Sequence, residues 1–130
     1  MGLRVLDSTV LIDFLRGRPA VGRVAALREA GDVPATTAIN VDEIVRGLRT
    51  GEEPAVEALF DGLVVLRTGR RAGWQAGEWR RTFAARGVTL YQADCLVAAV
   101  AAAHGATLVT GNPEDFPMEG VSVEHWPVGT

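Results

Sequence analysis

Lysine is absent from this chain; all 13 basic residues are arginines. That absence tells against phosphoryl-transfer enzymes of receiver or dehalogenase type, which ordinarily keep a lysine beside the phosphoryl group. It also excludes a P-loop, whose G-x-x-x-x-G-K run needs one. Cysteine occurs once, so no internal disulfide can form, as fits a reducing compartment. Histidine occurs only at positions 104 and 125, and no Cys/His set has zinc-site spacing. No apolar run approaches the ~20 residues that span a bilayer. The opening "MGLRVLDS" lacks the apolar stretch of a secretion signal. These absences together predict a cytoplasmic protein.

What is present fits one domain covering 1–130, with 48% hydrophobic and 22% charged residues. Arginine without lysine, beside abundant alanine and glycine, is the composition of a GC-rich, bacterial genome. The net charge is −3 and the pI about 5.3. That balance argues against a module that binds nucleic acid mainly through phosphates. It leaves room for an enzyme that holds cations in a cluster of acids, because the ions change the local sign.

Short apolar runs alternate with helical patterns along the chain. Strands are predicted at 3–7, 33–38, 63–67, 106–111 and 121–126, and helices at 8–17, 19–31, 40–51, 53–62, 69–86 and 93–105. Asp7 or Ser8 is placed to cap the first helix and Asn40 the third. "ADCLVAAVAAAHG" is apolar on every side and reads as a central, buried helix. The alternation implies a mainly parallel sheet of four to five strands covered on both faces.

In such sheets ligands sit beyond the carboxyl ends of the strands. Asp7 ends the first strand, Glu43 follows the second, Asp94 begins the buried helix, and Asn112 and Asp115 follow the fourth strand in "TGNPEDF". Asp7 alone reads equally as a helix cap or as a cation ligand. Several carboxylates in one cleft repel each other unless something neutralises them. Hard divalent ions such as Mg²⁺ or Mn²⁺ prefer oxygen ligands and do so well. The acid set therefore points to metal-assisted phosphodiester chemistry.

"VLDSTVLIDFLRG", "NVDEIVRG", "ADCLVAAVAAAHGATLVTGNPEDF" and "GVSVEHW" resemble, in order and spacing, the successive blocks of PIN-domain ribonucleases, nearest to VapC-type toxins of bacterial toxin–antitoxin pairs. The resemblance runs from Leu3 to about Trp126; residues 52–88 match only in general character. It implies a three-layer α/β/α sandwich, an RNA substrate cut by a metal-activated water, a VapB-type antitoxin partner and a homodimer. The family's metal-binding acids fall on Asp7, Glu43 and Asp94. Its fourth position, often aspartate, is here Asn112, so Asp115 is assigned the missing carboxylate, directly or through water. Ser8 matches a family hydroxyl that supports the metal or a phosphate.

Plainer roles fit other residues. Asp42 reads as a solvated helix-start acid and Asp13 as a surface residue of the first helix. Cys95 reads as a small buried neighbour, His104 as a helix C-terminal residue, and Trp74, Trp79 and Trp126 as packing or interface residues. Between 67 and 86 six arginines accompany one acid, Glu78. They are either a solvated face or an RNA contact through Arg70, Arg71, Arg80 and Arg81. Two other functions remain open at this stage. One is a non-catalytic RNA- or protein-binding domain of the same fold, favoured only by Asn112. The other is a different acid-cluster phosphoryl-transfer enzyme, disfavoured by the missing lysine.

Overall fold

The computed structural model describes residues 2–129. Five strands form one sheet: β1 (Leu3–Leu6), β2 (Val33–Thr37), β3 (Val64–Leu66), β4 (Thr107–Thr110) and β5 (Ser122–His125). Their spatial order is β3-β2-β1-β4-β5, and every neighbouring pair is parallel. Six helices connect them: α1 (Ser8–Leu15), α2 (Ala20–Glu29), α3 (Ala38–Arg46), α4 (Glu53–Asp61), α5 (Gly69–Ala84) and α6 (Gln92–Ala103).

Successive strand residues point to opposite faces, and the core divides accordingly. Val5 and Leu108 pack on the layer that holds α5 and α6, with Ala72, Ala76 and Ala98. Leu6 and Val109 pack on the other, with Val10 and Leu11 of α1, Val24 of α2 and Val56 of α4. This is the expected α/β/α sandwich, with all strands parallel. Helix α6 is buried along its whole middle, from Val97 to Ala101. Its alanines let α5 approach closely. A Schellman turn ends it: Gly105 takes φ +63°, its N–H donates to Ala102 O, and Ala106 N–H donates to Ala101 O.

Two expectations fail here. Asn40 does not cap α3. Helix α3 starts earlier, at Ala38, because Thr37 is the cap and its hydroxyl accepts from Asn40 N–H; the helix also stops at Arg46, short of the predicted 51. Asp13 is not a surface residue. It is 2% exposed, and its two carboxylate oxygens accept from Ala20 N–H (3.0 Å) and Gly129 N–H (2.9 Å). The carboxylate starts α2 and fastens the C-terminal segment, two demands that α1's apolar pattern does not announce. Trp74 is also exposed, at 67%, whereas Trp126 is buried with its indole N–H on Glu124.

Strand β1 continues through α1 and α2 to β2 on one side, while β4 lies on its other side. The gap between the carboxyl ends of β1 and β4 is therefore the topological switch point, where open parallel sheets form their binding crevice.

Candidate active site

Asp7 stands at that crevice, directly after β1, and its N–H donates to Val109 O of β4 (2.9 Å). By position it is the N-cap of α1, yet its side chain makes no capping bond. The carboxylate, 8% exposed, is turned to a different use. Its Oδ2 accepts from the hydroxyls of Thr110 (2.8 Å) and Thr9 (3.2 Å). Those two hydroxyls in turn accept from the next residues of the chain after β4. Asn112 N–H donates to Thr110 and Gly111 N–H to Thr9. Oδ1 has only a long contact from Asn40 Nδ2 (3.4 Å), which leaves lone pairs on that oxygen for another ligand.

Asn40 is fully buried on α3. Thr37 donates to its Oδ1 (2.7 Å), and its Nδ2 donates to Ser8 Oγ (3.0 Å) as well as to Asp7. Ser8 passes the link on, donating to Glu43 Oε1 (2.8 Å). Glu43 and Asn40 lie three residues apart on α3, so they share a face that looks at the start of α1. Asp42, between them, is exposed.

Asp94 enters from the first turn of α6 and is partly buried. Burial first, then the negative charges of Asp115, Asp7 and Glu43, push its carboxyl up from 3.8 to about 6. Asp115 lies in a short 3-10 turn, Pro113–Asp115, after β4. Its carboxyl is also raised, by burial, then by Glu114 and Asp7. Three of the predicted acids thus act on the fourth, Asp94, and Asp7 acts on Asp115 as well. The two ion pairs among the described residues both use Arg4, with Asp32 and with Glu124, so neither neutralises them.

Among the described residues, no three Asp, Glu, His or Cys side chains are close enough to form a finished metal cage. The donor set nevertheless fits a hard divalent cation. All the donors are oxygens, Asp7 Oδ1 is underused, and Mg²⁺ commonly takes one or two carboxylates and keeps several waters. Asn112 is exposed and adds a carbonyl oxygen without charge.

The structure divides the arginines. Arg80 is close enough to the start of α6 for its charge to act on Cys95, the buried neighbour of Asp94. Arg70 and Arg71 instead line a groove of about 560 Å³ with Trp74, Ala102 and Ala103. Those alanines lie at the far end of α6 from Asp94, about 12 Å along the helix at 1.5 Å per residue. Arg81 is exposed on α5.

Thr9, Thr110 and Asn40 were not foreseen as site residues. A signal existed for the threonines, since both sit at strand ends that carry a predicted ligand. Asn40 was hidden by its plausibility as a cap.

A parallel sheet with a switch-point crevice of acids is the architecture of a PIN domain, and the PIN-domain family matches residues 4–117. The chain belongs to that family. Within it, Ribonuclease VapC19 of Mycobacterium tuberculosis is 30% identical over 117 residues, 89% of this chain and 94% of that protein. Among solved structures, DNA-bound VapBC from Salmonella typhimurium aligns at TM-score 0.83 and 23% identity, covering 97% of this chain and 99% of that one. VapBC2 from Rickettsia felis, bound to a promoter DNA fragment, aligns at 0.82 and 20%, covering 95% and 98%. At these identities the solved structures bear on the fold.

Proposed function

We propose that this protein is a divalent-metal-dependent endoribonuclease, the toxin of a type II toxin–antitoxin pair, built as a single PIN domain. The observation that carries the reading is the convergence of Asp115, Asp7 and Glu43 on Asp94 at the switch point, where burial and their charges push Asp94 up to about 6. A cleft that disfavours the charged forms of Asp94 and Asp115 is matched to a cation. Bound there, Mg²⁺ or Mn²⁺ would supply the charge that polarises a scissile phosphate and makes water a nucleophile.

The chain's own groups do the rest. Asp7 and Asp94 would hold the main cation, and Glu43 and Asp115 would complete the acidic wall. Ser8 orients Glu43, and Asn112 contributes a neutral oxygen where a further charge would add repulsion. Arg80, whose charge acts on Cys95 at the start of α6, is the arginine assigned to an RNA phosphate in this reading. No side chain need become a covalent nucleophile, and buried Cys95, with its thiol pushed up chiefly by burial, is unsuited to that role.

Solved structures of this fold include VapBC pairs, which supports a VapB-type antitoxin as partner; a homodimer acting in the cytoplasm belongs to the same proposal. A groove of about 230 Å³ is lined by Ile12, Leu15, Ile44 and Val56 together with Arg16, Arg49, Glu52 and Glu43. That mixed lining suits an antitoxin segment that carries both apolar and charged side chains. The test is induced expression in a bacterial host without the antitoxin. Growth arrest with fragmented RNA, absent for Asp7→Asn, is the expected result; equal arrest by both chains would count against a nuclease.

A further inference from the structure

Among the described residues, Asn40 is the one fully buried polar side chain that touches both a site acid and the residue holding a second. We infer that it is a positioning residue that fixes Asp7 and Glu43 in one frame, a role that rests on the nuclease reading above. Three features carry the inference.

First, its amide is oriented by its partners. Thr37 donates its hydroxyl hydrogen to Oδ1, which assigns Oδ1 as acceptor and leaves Nδ2 as the donating end. Second, Nδ2 spends its two hydrogens on the two arms of the site, Asp7 Oδ1 and Ser8 Oγ. Because Ser8 accepts from Asn40, its own hydrogen is free for Glu43 Oε1. The chain Thr37, Asn40, Ser8, Glu43 therefore runs in one donor direction, and Asn40 sets it. Third, the Asp7 contact is long, at 3.4 Å, while the others span 2.7–3.0 Å. Asn40 thus steadies Oδ1 without saturating it, as a ligand oxygen requires.

An asparagine does this where an acid or a hydroxyl would not. An aspartate at 40 could donate to neither Asp7 nor Ser8 and would add a fifth negative charge. A serine has one hydrogen and too short a reach for both. Outer partners of metal ligands of this kind typically alter metal affinity or activity by roughly 10- to 100-fold when lost.

The experiment is a Mn²⁺ titration of the full-length, antitoxin-free chain, with RNA cleavage rates measured on the same samples. Asn40→Leu keeps the branching at Cγ, adds some bulk and removes the amide. Leu27→Ala, a core truncation on α2 away from the site, controls for stability loss alone. The expected result is a Mn²⁺ affinity about 10-fold or more weaker for Asn40→Leu and unchanged for Leu27→Ala. Excess Mn²⁺ should restore cleavage by Asn40→Leu with KM for RNA unaltered. If Asn40→Leu does not fold, Ser8→Ala cuts the same chain at a half-buried position and should show the same loss at smaller size. A parent that binds Mn²⁺ while the folded variant binds it equally well overturns the role of Asn40 alone. A parent that binds no Mn²⁺ and cuts no RNA overturns the nuclease reading and this one with it.

Discussion

Asp94→Asn should make the metal-free protein more stable while abolishing its activity. The substitution keeps the shape and removes a charge that the folded cleft disfavours. The folded carboxyl sits at about 6, against 3.8 for an unperturbed group. Each unit corresponds to ~1.36 kcal/mol, so about two units set a ceiling near ~3 kcal/mol. Asp94 is partly exposed, and solvent screening reduces the expected gain to about 1–2 kcal/mol. The sign follows from proton binding. Below 3.8 the group is protonated folded or unfolded, and parent and variant should match. As pH rises from 3.8 through about 6 the unfolded chain ionises first, so the parent loses relative stability, and the full difference holds above that window. In EDTA at pH 8 the variant should melt roughly 3–8 °C higher. Adding Mn²⁺ should reverse the order, because a ligand at 100 times its Kd stabilises the parent by about 2.7 kcal/mol. Thermal unfolding followed by circular dichroism at pH 4 and pH 8, with and without metal, reads all four corners. A variant no more stable than the parent at pH 8 in EDTA would refute the crowded-acid reasoning.

Other perturbations separate the remaining parts of the structure. Asp13→Ala leaves the N–H groups of Ala20 and Gly129 without their acceptor, and urea unfolding should show a loss of roughly 1–3 kcal/mol; no loss would mean that water replaces the carboxylate. Thr110→Val removes the shortest bond to Asp7 and should cost about 1.5–3 kcal/mol, with weaker Mn²⁺ binding in a calorimetric titration. Arg80→Ala should lower the slope of log K against log salt for single-stranded RNA by ~0.7, whereas Arg70→Ala with Arg71→Ala should leave it unchanged. Equal effects from both sets would place RNA along the whole of α5. Gly111→Ala should loosen the turn after β4, because a Cβ there would meet Val128 Cγ1 at 2.8 Å and Thr9 Oγ1 at 3.2 Å; a cleavage rate equal to the parent's would show that the turn tolerates the shift.

The layers of the fold were legible because the pattern is local. The strands read as short apolar runs and α6 as apolar on all sides. The ends were less legible where a cap competes with a neighbour: Thr37 and Asn40 both suit the start of α3, and only the sheet decides between them. Asp13 illustrates a deeper limit. Its partners are backbone groups at Ala20 and Gly129, and the distant one is brought near only by the fold. A charge in an apolar helix reads as exposed until the donors that compensate its burial are known.

The candidate site divides the same way. Asp7, Glu43, Asp94 and Asp115 were visible as acids placed at the edge where ligands bind. Their mutual spacing was not, and the carboxylates stand within Coulombic reach without closing into a cage. The hydroxyls of Thr9 and Thr110 and the amide of Asn40 were not read as site groups because each carries an ordinary local role. The arginines between 67 and 86 look like one cluster in the sequence. Helix α5 carries four of them along 16 residues, so Arg70 and Arg71 line a groove toward the far end of α6, while the charge of Arg80 acts on Cys95.

The most direct test of a metal-dependent ribonuclease is the cleavage of total RNA by the purified chain, stripped with EDTA and then titrated with Mg²⁺ or Mn²⁺ beside Asp94→Asn. Cleavage that is absent in EDTA, returns with metal and is missing in Asp94→Asn at every metal concentration is the predicted result. Cleavage that persists in EDTA, or an Asp94→Asn chain that cuts as fast as the parent, would contradict it.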